Sequence, residues 1–185
     1  MRFPANEKGF TLIEAMVAMV VLAIGILGVV IMQTRAVSAN ASAFSRTSGT
    51  GVGISVLETL QQMPFNDPNL QQTHAAANLL PNTAAAAMAD AQVRRLNAVT
   101  LATMSPMLTN VYRVSGPVAN PVLTTIGAGA SAGSHTYQVA WAVFDNALPG
   151  GEVPSKIIRV YQVWTAAMGG GTSIMTTVKY NNIAL

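Results

Sequence analysis

Lys8-Gly9-Phe10-Thr11-Leu12-Ile13-Glu14, followed by unbroken apolar sequence from Ala15 to Met32, decides how this chain is organised. A short polar leader ends in a small residue, an aromatic follows, and one carboxylate heads a stretch otherwise suited to lipid. Charge inside a membrane segment is costly and usually marks function. Phe10 to Met32 is 23 residues, which as an α-helix rise about 35 Å. The hydrocarbon core is about 30 Å thick, so the segment can span it with modest tilt. Val, Ile, Leu, Met and Ala surround the whole helix, and a lone segment in lipid satisfies its backbone only by being helical.

The leader differs from an ordinary secretory signal, in which basic residues come first, the apolar region next and the cleavage site after it. Here the candidate cut, Gly9/Phe10, precedes the apolar region. Cleavage there removes residues 1–9 and leaves the hydrophobic helix as the new N-terminus. The run Gly9-Phe10-Thr11-Leu12-Ile13-Glu14 resembles the type III signal of type IV prepilins, shared by relatives in type II secretion and DNA uptake. That resemblance implies cleavage after Gly9 by a prepilin peptidase, N-methylation of Phe10 and polymerisation through the helix. Ala18 to Gly28, with its Ile24-Gly25-Ile26-Leu27-Gly28 run and then Gln33, is similar to the N-terminal helix of PilV-type minor pilins. Leu57 to Pro64 and Ile157 to Trp164 fit that pattern loosely. Many major pilins place a proline near Ile31, and this helix has none. Residues 64–135 show no resemblance.

Glu14 has a physical role beside the resemblance. After cleavage it is the fifth residue, close to the new α-ammonium of Phe10 but carried in an apolar helix. A carboxylate at the bilayer centre costs about 2.5–3.5 kcal/mol on insertion scales, and less near an interface. Among packed helices the cost rises unless a cation pairs with it. Every copy offers one cation, the α-amine of a neighbour's Phe10, so the charge pair sets the axial register of an entering subunit. The blander alternative is that Glu14 complements the first-turn dipole and snorkels to the surface.

Composition agrees with an exported, membrane-tethered protein: 185 residues, 51% hydrophobic and 9% charged, with mean hydropathy +0.41. The roughly 120 residues beyond the helix suffice for one compact domain. Net charge is +3 on the whole chain, and loss of Arg2, Glu7 and Lys8 leaves eight basic and six acidic residues. No clustered basic stripe of the kind nucleic acid needs is present, and Arg94-Arg95 reads as a solvated pair. The absence of cysteine is compatible with an oxidising compartment and departs from the many pilins that close a C-terminal loop by a disulfide. Arg2 and Lys8 on one side balance Arg35 and Arg46 on the other, so charge does not orient the span. The N-in, C-out topology is what the resemblance implies.

Beyond the membrane segment, Val37, Ala41, Phe44, Val56, Leu57, Leu60 and Met63 recur at helical spacing until Pro64 stops the pattern. Gly49, Gly51 and Gly53 interrupt it, each costing about 1 kcal/mol against alanine. They predict either a bend, a flexible joint between stalk and head, or a site where another element packs closely. Further on, Asn82 is a candidate cap for a short helix with Ala89, Val93 and Leu96 on its apolar side. Pro106, Pro117 and Pro121 punctuate short extended pieces, and Gly127 to Gly133 reads as a surface loop. Tyr137, Val139, Trp141 and Val143 alternate with Gln138, Ala140 and Ala142, and alternation returns over Lys156–Thr165 and Ser173–Tyr180. Turns are predicted at Asn146–Pro154 and Gly169–Gly171. Three strands laid on the long helix, burying Trp141 or Trp164, make an α+β head.

No catalytic constellation stands out, nor does a metal-ligand set or a cofactor motif. His74 and His135 stand isolated in low-complexity surroundings, which predicts solvated side chains, and Asp67, Asp90, Asp145 and Glu152 lack metal-loop spacing. The expected organisation is a leader over 1–9, a transmembrane and assembly helix over 10–33, and a pilin-like periplasmic head over 34–185. That head comprises a helix at 34–63, a variable loop region at 64–135 and strands at 136–182. The expected function is non-enzymatic: a minor pilin in the initiation or tip complex of a type IV pilus. Its partners would be the prepilin peptidase, other major and minor pilins and the inner-membrane assembly platform. It would sit in the inner membrane before assembly and in a surface pilus afterwards. A type II secretion pseudopilin, and a tip module for adhesion or DNA capture, are the alternatives.

Overall fold

The computed structural model describes residues 10–104, 106–125, 136–165 and 170–181. The leader, the Gly127–Gly133 stretch, His135 and Gly169 lie outside the described residues. Contacts divide the chain into two compact units, Met1–Ala41 and Ser42–Leu185.

One helix, α1 (Leu12–Gln62), runs through both and ends two residues before Pro64, whose ring forbids continuation. Thr11 caps its start: the Glu14 N–H points to the Thr11 carbonyl at 3.1 Å and to its hydroxyl at 3.4 Å. In the first unit no described residue is buried, and α1 is long and apolar enough to cross a membrane.

The second unit is α+β. Its six-stranded antiparallel sheet consists of β1 (Arg94–Arg95), β2 (Tyr112–Ser115), β3 (Val122–Thr125), β4 (Thr136–Asn146), β5 (Ser155–Thr165) and β6 (Gly171–Tyr180). The order is β2-β3-β4-β5-β6, with β1 also pairing β4. Alternation on β4 and β5 places Val139, Trp141, Val143, Ile158, Val160 and Trp164 on one face. There they bury Val52, Val56 and Leu60 of α1. Trp141 is fully buried, and its indole N–H donates to the Asn69 carbonyl at 2.9 Å. Burial of such a ring contributes a few kcal/mol.

The glycine interruption produces no break, because α1 continues across it. A β-carbon on Gly49 would lie 2.7 Å from the Trp164 ring, and one on Gly53 would overlap the Gln162 side-chain amide. Gly51 points into open space. Two of the three glycines therefore let the sheet approach the helix, and close packing, not a joint, is the outcome.

The opposite sheet face carries a second core that strand alternation alone did not reveal. Ala140, Ala142 and Tyr161 are buried there against Leu80, Val93 and the short helix α2 (Ala84–Ala89). Thr83, one residue after the expected Asn82, caps α2 by accepting the Ala86 N–H at 3.1 Å. Two further short helices, α3 (Ala98–Met104) and α4 (Pro106–Val111), precede β2. Pro106 opens α4, where its missing N–H costs nothing. The C-terminal sheet expectation holds for all three long strands, and short pieces from residues 94–125 extend it beyond β4.

Candidate functional site at the N-terminal junction

Phe10 stands two residues before α1 and is 76% exposed, and Glu14 lies in the first turn, also exposed. Gly9 lies outside the described residues. Between Glu14 and Arg35 the chain has no other charge, a separation of about 30 Å along a helix. Glu14 therefore has no cationic neighbour on its own helix at i+3 or i+4. In apolar surroundings its carboxylate needs a positive group from outside α1. The acidic first turn also suits the positive end of the helix dipole.

The second unit holds its polar groups in structural roles. On α1, Ser48 and Ser55 bond the hydroxyls of Tyr137 and Tyr112, whose phenols are pushed up by burial despite those bonds. Gln162, 1% exposed, accepts the Gly53 N–H on its amide oxygen at 2.9 Å and donates its amide nitrogen to the Gly49 carbonyl. Its side chain thus spans one turn of the α1 backbone. At the end of that helix Lys179 donates to the Gln61 carbonyl, supplying from β6 the cation that the last turn of α1 lacks.

His74 departs from expectation: it is 2% exposed. Its Nε2 lies 2.9 Å from Asp90 Oδ2, and its Nδ1 lies 2.8 Å from the Thr73 hydroxyl. Thr73 in turn pairs with β4: its N–H donates to the Val143 carbonyl at 2.8 Å, and its hydroxyl accepts the Val143 N–H at 2.9 Å. Burial raises the Asp90 carboxyl, but bonds from His74 and the Gln92 N–H, with the charges of His74 and Arg95, outweigh it. The carboxyl lies below its ordinary value. The hydroxyl, imidazole and carboxylate superficially parallel a hydrolytic triad. However, the Thr73 oxygen is engaged by the Val143 backbone, which leaves no free nucleophile beside the ring. No local signal marks this cluster in the sequence, since His74 and Asp90 are brought together across an alanine-rich stretch. Among the described residues no group of His, Asp and Glu has the arrangement of a metal site.

The exposed apolar helix, its first-turn carboxylate and the aromatic before it remain the features with chemistry to explain. Residues 4–30 match the prokaryotic N-terminal methylation motif. The prepilin-like reading of the junction is thereby supported where the signal lies, and the motif takes in Gly9, Phe10, Glu14 and all but the last two residues of the apolar run. No curated protein and no solved structure matches the chain.

Proposed function

We propose that this chain is a minor pilin of a type IV pilus, acting in the initiation or tip complex as a structural subunit with no catalytic role. The observation that carries the proposal is the methylation motif at 4–30, continuous with an exposed apolar helical segment over 12–34 whose one charge is Glu14. In this proposal a prepilin peptidase cuts between Gly9 and Phe10 and methylates the Phe10 amine. The helix holds the subunit in the inner membrane, N-terminus cytoplasmic and head periplasmic, until assembly. The subunit then leaves lipid for a bundle of like helices, where a neighbour's N-terminal ammonium replaces water and headgroups as the partner of Glu14. The head supplies its own two-sided core, so it can be carried on the helix without refolding. The PilV-like Ile24–Gly28 run supports a pilus over a secretion pseudopilus.

Intact-mass measurement of the membrane-extracted protein tests the processing step. The expected product lacks the nine leader residues and carries one added methyl group at Phe10. A mature chain that begins at Met1, or after the apolar run, overturns the proposal.

A further inference from the structure

The two sides of the sheet are finished differently. Along β4 the side away from β5 is covered by fragments. Leu123 pairs with Tyr137, Arg94 and Arg95 with Trp141 and Ala140, the Leu96 N–H reaches the Val139 carbonyl, and Thr73 joins Val143. The outermost strand on that side, β2, has four residues and carries exposed Arg113. The other outermost strand, β6, has ten residues and pairs only with β5 among the described residues.

The register shows which of its backbone groups face outward. The Asn181 N–H donates to the Pro154 carbonyl at 2.8 Å, so the 181/154 pair is of the hydrogen-bonded kind. In an antiparallel ladder such pairs alternate. With Lys156 opposite Lys179, the residues that point their N–H and C=O away from β5 are Thr172, Ile174, Thr176, Val178 and Tyr180. Their side chains are exposed, uncharged and of strand-forming type. Proline and bulges, two of the usual protections of an edge, are absent from this strand, and its one charge, Lys179, lies on the face toward α1 and bonds the Gln61 carbonyl.

The face toward α1 adds a charge pattern. The register aligns Asp145 with Lys156 and Lys156 with Lys179 across three strands. Lys156 is buried beside Asp145 at 3.6 Å, bonded to the Leu70 carbonyl and set over the Phe65 ring at 4.7 Å. Lys179, next in the row, bonds the neutral Gln61 carbonyl, with Asp67 as its favourable charge at longer range. It borders an open cleft of about 560 Å³ between the end of α1 and β6, lined also by Phe65, Val178 and Tyr180. The row therefore runs negative, positive, positive, and its next position lies on whatever strand joins β6. That position is a non-hydrogen-bonded neighbour of Lys179, where cross-strand side chains come closest.

We infer that the β6 edge is a docking site for an extended segment of another protein chain, which adds as an antiparallel strand and places a carboxylate opposite Lys179. Its alternate residues are apolar and lie beside Ile174, Val178 and Tyr180. This goes beyond the proposed function and does not depend on processing at Gly9. A second copy of β6 does not fit, because the strand has no Asp or Glu to complete the row. Main-chain bonds supply the affinity in such strand addition, and the side-chain pattern supplies the specificity.

The test uses the full chain in detergent micelles and the soluble-tailed peptide Val-Glu-Val-Thr-Val-Thr-Val-Thr-Val, with its Glu→Lys version as comparison. Fluorescence anisotropy is expected to show binding of the first and roughly fivefold weaker binding of the second, from gaining or opposing one cross-strand charge pair. Amide exchange is expected to slow at Thr172, Ile174, Thr176, Val178 and Tyr180 when the glutamate peptide is present. Thr176→Pro removes an outward donor without touching the β5 ladder, and it is expected to abolish binding. Equal affinity for the two peptides on the unmodified chain, or no protection of the outward amides at high peptide concentration, overturns the inference. So does a Thr176→Cys chain that forms disulfide dimers at this edge in preference to binding the peptide.

Discussion

Replacing the glycines of α1 one at a time separates close packing from flexibility. In an exposed helix each Gly→Ala exchange gains about 1 kcal/mol. Gly51 meets nothing within 4 Å, so Gly51→Ala is expected to stabilise the second unit by about that amount. At Gly53 the added methyl group would occupy the place of the Gln162 amide. The amide must then leave the Gly49 carbonyl and the Gly53 N–H. Each such bond contributes about 1 kcal/mol net, and a buried amide left without partners costs about 1–3 kcal/mol. Overpacking adds a similar amount. After the gain in helix propensity, Gly53→Ala is expected to destabilise by about 2–4 kcal/mol, a difference of opposite sign from a position two residues away. The chain's two tryptophans, Trp141 and Trp164, are both buried in this unit and report its unfolding by fluorescence in guanidinium chloride. If Gly53→Ala is as stable as Gly51→Ala, the glycines serve flexibility and the packing argument is wrong.

Other consequences follow from the charges and the core. Glu14→Gln keeps the shape and removes the charge. Its amount in the inner membrane is expected to hold or rise, while its incorporation into sheared filaments, or filament number, falls; undiminished assembly refutes pairing with a neighbour's N-terminus. Because the folded Asp90 carboxyl lies below its ordinary value, its stabilisation is present above the unfolded carboxylate pKa and is lost as pH falls through the folded one. Denaturation midpoints should therefore drop below about pH 4, and Asp90→Asn should weaken that dependence while lowering stability at neutral pH. Lys179→Met removes the cation at the α1 C-terminus and is expected to cost about 1 kcal/mol; an unchanged denaturation midpoint refutes the cap. A chain starting near Thr34 is expected to be a soluble, folded α+β monomer, checked by circular dichroism and light scattering, because both faces of its sheet are covered from within.

What the linear order determined was whatever depends on neighbours along the chain. The methylation motif at 4–30 and the apolar run are contiguous, and the hydropathy of 23 successive residues needs no partner to be read. The end of α1 before Pro64 and the three long strands were equally legible, since a missing N–H and a period of two are local properties. Tertiary structure decided the rest. The glycines of α1 read alike in sequence, yet Gln162 and Trp164, more than a hundred residues away, make two of them contacts and leave Gly51 open. His74 became a buried partner of Asp90 because α2 and the segment before it fold over the second sheet face, which alternation in β4 could not announce when its small residues were Ala140 and Ala142. The outer edge of β6, unpaired among the described residues, likewise has no signature of its own. It exists because the strand order ends there, and the charge row pointing to it forms only when Asp145, Lys156 and Lys179 are brought into register across three strands.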